Sequence, residues 1–180
     1  MAREAEDEKS AAQKNNARGF SIFRASDAPL LEDVHPMKYA GITPIIQAGM
    51  TRLLDAGVED GSELRVLVEV PGFSLTHVWF KSAFPLPRHS HEADCLYYVV
   101  GGTLRLGTET LHAGDGFFVP ANAPYTYTPG ADGVELLEIR HGSCSDIKVL
   151  AGSAIFWEKA ANIASANRGK WQSEERPSLI

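Results

Sequence analysis

The sequence lacks a basic surplus, a dense set of cysteines and any long apolar run, and each absence removes a class of function. There are 17 Lys and Arg against 23 Asp and Glu in 180 residues, for a formal net charge of −6. No basic block interrupts this balance, which argues against nucleic acid as a partner. The acidity favours solubility and names no ligand. No stretch approaches the roughly 20 apolar residues that span a bilayer, so no membrane partner is expected. The opening Met1–Lys9 is charged and has no apolar core of the kind a secretory signal needs. Cysteine occurs twice, at Cys95 and Cys144, in unrelated contexts and without a C-x-x-C pair. Such usage suits a reducing compartment better than a disulfide scaffold, and the expectation is a cytoplasmic protein.

Hydrophobic residues make up 44% of the chain, enough for one domain with a sizeable core and some appended segments. Residues 1–19 are polar on every side and are expected to be a tail. Between Phe20 and Gly61 the pattern is mixed. Phe20–Phe23, Ile45-Ile46 and Met50–Leu54 read as short strands, which makes this a β-rich N-terminal extension carrying the apolar surface for a homodimer. From Arg65 onward strand signals come quickly. Arg65–Val70, Leu75–Phe80, Leu96–Val100, Thr103–Leu106, Phe117–Val119, Tyr125–Thr128 and Val134–Arg140 are separated by Pro, Gly and Asp turns. Many short strands at regular spacing predict an all-β sandwich or barrel. A single helix is predicted over 153–171. Ser153 is its N-cap, Ile155, Phe156, Ala160, Ile163 and Ala164 recur near helical spacing, and Gly169 is a stop. Residues 172–180 read as a loose polar tail.

The stretch from Pro87 to Gly102 carries the chemistry. Residues two apart on an extended segment share a side, so His89 and His91 can aim two imidazoles at one point. Paired imidazoles suit zinc, iron, nickel and copper. Cys95 follows, with the same parity as His91, and then Tyr97 on the same face, while Tyr98 faces away.

Residues 74–141 resemble the cupin family in two motifs. The first, His-x-His, three residues, Glu, six residues, Gly, is matched by His89-Ser90-His91, by Cys95 in the place of the Glu, and by Gly102. The second, Gly-Asp, four residues, Pro-x-Gly, two residues, His, is matched by Gly114-Asp115 and Pro120-Ala121-Asn122, with Tyr125 in the place of the His. Asn122 replaces a Gly at a position where left-handed backbone is tolerated by Asn. The resemblance implies an antiparallel jelly-roll β-barrel covering 20–152 with its N-terminal strands. In the family the two histidines, the Glu and the later His hold a divalent metal inside the barrel. Only the histidines carry over here.

Two readings therefore stand for His89 and His91: metal ligands with Cys95 as a thiolate, or a hydrogen-bonded pair left by a lost metal site. Cys95 is equally a small buried apolar residue. Tyr125 reads as an aromatic wall of the cavity or as a hydrogen-bonding group, and Tyr127 shares its face. Glu92 or Asp94 could replace the missing Glu. His77, Glu135 and His141 are weaker candidates, and His35 and His112 read as solvated loop residues. Trp79 or Phe80, Phe84, and Phe117 or Phe118 would line the pocket, which suits a small organic ligand. One function is a metal-dependent dioxygenase, isomerase or lyase. It would use Zn, Fe, Ni or Mn on His89, His91 and Cys95, with Tyr97 and Tyr125 as catalytic groups. The alternative is a non-catalytic module that binds or senses a small molecule without its metal. Fold alone does not choose between them.

Overall fold

The computed structural model describes residues 20–178. The expected tail at 1–19 lies outside the described residues. Leu31–Val34 forms one helical turn, α1. Lys38–Ala40 is strand β1, and Pro44–Asp55 is helix α2. The barrel strands follow as β2 (Ser62–Val70), β3 (Phe73–Phe80), β4 (His89–Ser90), β5 (Cys95–Leu106), β6 (Glu109–His112), β7 (Gly116–Val119), β8 (Thr128–Arg140) and β9 (Asp146–Val149). Helix α3, Ala154–Trp171, closes the regular structure.

The strands form two sheets. One has the order β2-β3-β8-β5-β6, with β7 also paired to β5, and all its pairings are antiparallel. The other has the order β1-β9-β4, parallel at β1–β9 and antiparallel at β9–β4. A two-way backbone bridge between His89 and Tyr125 joins β4 to the segment entering β8, with N···O distances of 3.0 and 2.9 Å. Alternation along β5 decides what is inside. Cys95, Tyr97 and Val99 are buried, while Leu96 and Tyr98 are about half exposed. The core between the sheets combines aliphatic side chains such as Val78, Val99, Val134 and Leu136 with a cluster of aromatic rings.

The N-terminal extension corrects the sequence reading. Phe20–Phe23 is not a strand, and Ile45–Leu54 forms the helix α2 in place of two strands. The signals for helix are local. Thr43 is the N-cap and its hydroxyl accepts from the Ile46 amide at 3.3 Å, and Pro44 occupies the first turn, where no amide hydrogen is needed. Ile46, Gly49 and Leu53 fall on one buried face at helical spacing. That face packs on α3, which buries Trp157, Ala160, Ala161, Ala164 and Trp171. Gly169 does not stop α3, because the fully buried Trp171 ring and its Nε1 hydrogen bond to the Ser82 carbonyl, at 2.8 Å, extend the helix past it. Glycine in a helix costs only about 1 kcal/mol, less than that docking returns. Strand β8 likewise runs through Pro129-Gly130, where a stop was expected. The segment after α3 is docked: Glu174 accepts from the amide of Ser82, and Arg176 lies over the Trp79 ring.

Gly49 is where α2 and α3 come closest. A Cβ there would sit 2.1 Å from Cγ of Trp157, inside any tolerable contact. Alanine is the better helix former by about 1 kcal/mol, but overpacking a rigid core costs about 1–3 kcal/mol. Gly49→Ala is therefore expected to lower the urea midpoint. An unchanged or raised midpoint would show that Trp157 is free to move.

Candidate functional site

The site is built on the central strands. In the β5–β8 register Cys95 is opposite Arg140, Tyr97 opposite Glu138 and Val99 opposite Leu136, so all six share the inward face. Across the other edge of β8, Ser74 and Thr76 of β3 stand beside Arg140 and Glu138. His89 on β4, His91 just after it, Phe117 on β7, and Tyr125 and Tyr127 complete the ring around this end of the barrel.

Arg140 is its centre. Only 4% of it is exposed. Its Nε lies against a carboxylate oxygen of Glu138, and its Nη1 is 3.2 Å from both the carbonyl oxygen and Oδ1 of Asp146. Its Nη2 is 3.1 Å from Nε2 of His91. Burial is the largest single influence and works against this charge, but Glu138 together with Tyr97, Cys95 and Asp146 more than offsets it and holds the guanidinium protonated, with its pKa above the ordinary value. Arginine presents fixed donors in a planar fork, so Nη2 donates to His91. The other imidazole nitrogen agrees: Nδ1 of His91 is 2.6 Å from the Asp146 carbonyl, which can only accept. His91 is thus neutral, with its proton on Nδ1 and its lone pair on Nε2. Burial and then the Arg140 charge keep its pKa below the usual histidine value.

A hydrogen-bond chain leads away from that lone pair. The Tyr125 hydroxyl is 3.1 Å from His91 Nε2, and the Tyr97 hydroxyl is hydrogen-bonded to that of Tyr125. Since Nε2 can only accept, the Tyr125 hydroxyl shares its one lone pair with Arg140 Nη2, and Tyr97 donates to Tyr125. Burial raises the pKa of Tyr97, Tyr125 and Tyr127, so all three phenols stay protonated. The rings pack together: Phe117 stacks on Tyr97 at 4.6 Å between centroids, and Tyr125 leans on His89 at 4.4 Å.

His89 donates from Nδ1 to the Pro87 carbonyl at 2.7 Å. Its Nε2 has no hydrogen-bond partner among the described residues. Burial is the main cause that pushes its pKa down to about 4. Cys95 is buried and free, its thiol directed at the Ala93 carbonyl at 3.4 Å, and burial pushes its pKa up to about 12. Ser74 Oγ, fully buried beside Arg140, has no hydrogen-bond partner among the described residues.

The structure brings together His89, His91, Cys95, Tyr97 and Tyr125, with Phe80, Phe84 and Phe117 in the same core. Others are elsewhere. Asp94 caps the Ala121 amide at 2.8 Å and stays exposed, and Phe118 points outward. His77 is on the outer face of β3, 3.3 Å from Glu135, which also accepts from the Ser178 amide. Sequence reasoning missed Glu138, Arg140 and Asp146. Parity puts Glu138 and Arg140 on the Val134, Leu136 side of β8, but Leu137 and Ile139 make the other side equally apolar, so the sequence alone did not mark this face as the inner one.

No family model and no curated protein matches the sequence. Solved structures do. The polyketide cyclase RemF from Streptomyces resistomycificus superposes with a TM-score of 0.55 at 16% identity, over 82% of this chain and 97% of that one. KdgF from Halomonas sp. gives 0.45 at 19% identity, over 67% and 93%. An RmlC-like cupin from Shewanella frigidimarina gives 0.45 at 17%, over 70% and 92%. The fold shared with the cyclase is the antiparallel β-barrel that the cupin resemblance implied. The two turns that carried the resemblance are formed as that fold requires: Asn122 adopts φ +63°, and Gly102, at φ +70°, would place a Cβ 2.2 Å from the Gly133 carbonyl oxygen.

A divalent ion on the cupin motif residues does not fit the arrangement described. Nε2 of His91, the atom that would coordinate it, already accepts from a guanidinium. An ion could take that nitrogen only by displacing the guanidinium from it. The Cys95 thiol is directed at the Ala93 carbonyl, 3.4 Å away. Among the described residues, the three donors that lie within 4.8 Å of one another are His35, Glu69 and Cys144, outside this cluster.

The histidines set a pH dependence. A histidine whose folded pKa is depressed takes up its proton more readily when unfolded, so stability is complete above about pH 6.5 and falls as pH drops toward about 4. From about pH 7 to about pH 5, His89 is expected to cost about 2 kcal/mol of unfolding free energy. Urea titrations at both values should show that slope in the wild type and a smaller one in His89→Gln. Equal slopes would contradict the buried neutral imidazole.

Proposed function

We propose that this cupin binds a small hydroxylated organic molecule in its barrel, and does so without a divalent metal. The observation that carries the reading is the Arg140 Nη2 contact of 3.1 Å to His91 Nε2. It supplies the positive charge that a metal would bring to this place and uses the ligand atom the metal would need. His89 Nε2 is the recognition point. It is an acceptor on a neutral ring and has no hydrogen-bond partner among the described residues, so it suits a ligand hydroxyl. The Tyr97, Phe117 and Tyr125 rings pack together beside it, and a small ring would have to displace part of that packing to lie against them.

If the ligand is also turned over, Tyr97 and Tyr125 would pass a proton toward His91, the acceptor end of their hydrogen-bond chain. Neither phenol is set up as a base, because burial keeps both protonated. The metal-dependent reading, with His89, His91 and Cys95 holding Zn, Fe, Ni or Mn, draws its support from the same partnerless His89 Nε2.

Calorimetric titration of small phenols, sugars and organic acids, with and without a chelator, separates the two. The metal-free reading expects binding that survives the chelator and weakens about tenfold in His89→Ala, the loss of one hydrogen bond. Binding that appears only after loading with iron, zinc, manganese or nickel would overturn it.

A further inference from the structure

A second group of chemically active side chains lies outside the barrel site, and nothing in the reading above uses it. His35 follows α1, Glu69 is near the end of β2, and Cys144 is in the loop between β8 and β9. Their donor atoms all lie within 4.8 Å of one another, and His35 Nε2 is against a carboxylate oxygen of Glu69. Three segments far apart in the chain therefore converge on one point with three different donor types. We propose that His35, Glu69 and Cys144 form a zinc site that clips the N-terminal segment to the barrel.

The chemistry of the set favours zinc. Thiolate, imidazole and carboxylate are all zinc ligands, and sulfur disfavours magnesium and calcium. With bonds of about 2.0–2.3 Å, tetrahedral donors stand about 3.3–3.8 Å apart, so the wider pairs would draw in while the touching His35–Glu69 pair opens to let the ion between them. Charge also balances: one thiolate and one carboxylate against a divalent ion, with His35 neutral. On binding, the Cys144 thiol proton leaves to solvent and the sulfur pair forms the Zn–S bond, with no redox change. The environment is asymmetric in a useful way. Cys144 is 2% exposed and packed with Leu31 and Val66, which fixes the sulfur. The His35 and Glu69 side chains keep 35% and 26% of their exposure, so an ion can enter and water can take the fourth position.

The site goes beyond the barrel reading and is independent of it. The test uses the full chain purified without a histidine tag, stripped with a chelator and dialysed against zinc or cobalt(II). Elemental analysis is expected to find about one equivalent of zinc in the wild type and in His89→Gln. The cobalt form should show a thiolate-to-metal charge-transfer band that disappears in Cys144→Ser and weakens in His35→Gln and Glu69→Gln. Zinc should also raise the wild-type Tm and leave that of Cys144→Ser unchanged. No retained zinc, or no thiolate band in the wild-type cobalt form, would overturn the proposal without reference to any variant. Zinc kept by Cys144→Ser and lost from His89→Gln would overturn it too, and would move the metal to the barrel.

Discussion

A single buried guanidinium organises the inside of this barrel. Arg140 needs partners because an uncompensated charge in the core is prohibitively expensive, and removing one member of such a group costs about 3–5 kcal/mol. Glu138 comes from the same strand, two residues earlier. Asp146 comes from the start of β9, and His91 from the end of β4. Satisfying one side chain thus ties the large sheet to the small one. It also fixes the tautomer of His91, because a guanidinium can only donate and the Asp146 carbonyl can only accept.

The rest of the polar interior follows from that tautomer. With its lone pair on Nε2, His91 orients the Tyr125 hydroxyl, and Tyr125 orients Tyr97. The two substitutions in the cupin motifs are therefore linked. Tyr125, where the family has a metal-binding histidine, donates to His91. Cys95, where the family has a carboxylate, stands in register with Arg140 and leaves room for it. On the proposed reading the Arg140 guanidinium takes the part that a metal ion plays in the family. His89 Nε2 has no hydrogen-bond partner among the described residues, which is why the proposed recognition rests on it.

How much of this was legible beforehand depended on whether local patterns or long-range contacts decided the outcome. The β-turn residues, the His-x-His parity and the inward face of β5 are local, and they located the barrel and the histidine pair. Helix α2 was misread as strands because its apolar residues are also β-formers, although Thr43-Pro44 offered a start signal. Glu138 and Arg140 escaped for a different reason. Leu137 and Ile139 are as apolar as Val134 and Leu136, so alternation along β8 could not tell which face is inside, and charged residues default to the outside. His35 read as a solvated loop residue, since only the tertiary fold brings it to Glu69 and Cys144. The polar segment after Trp171 looked loose for want of a visible partner, and Glu63, Ser82 and Glu135 supply one.

The claim that a guanidinium stands where a metal would can be read directly at the imidazole nitrogens. Long-range proton–nitrogen correlation spectra of the histidines, recorded with and without added zinc, resolve Nδ1 and Nε2 separately. The account expects His91 to be neutral with its proton on Nδ1, and its Nε2 signal to stay in place when zinc is added. Coordination shifts at Nε2 of both His89 and His91 on addition of zinc would contradict it.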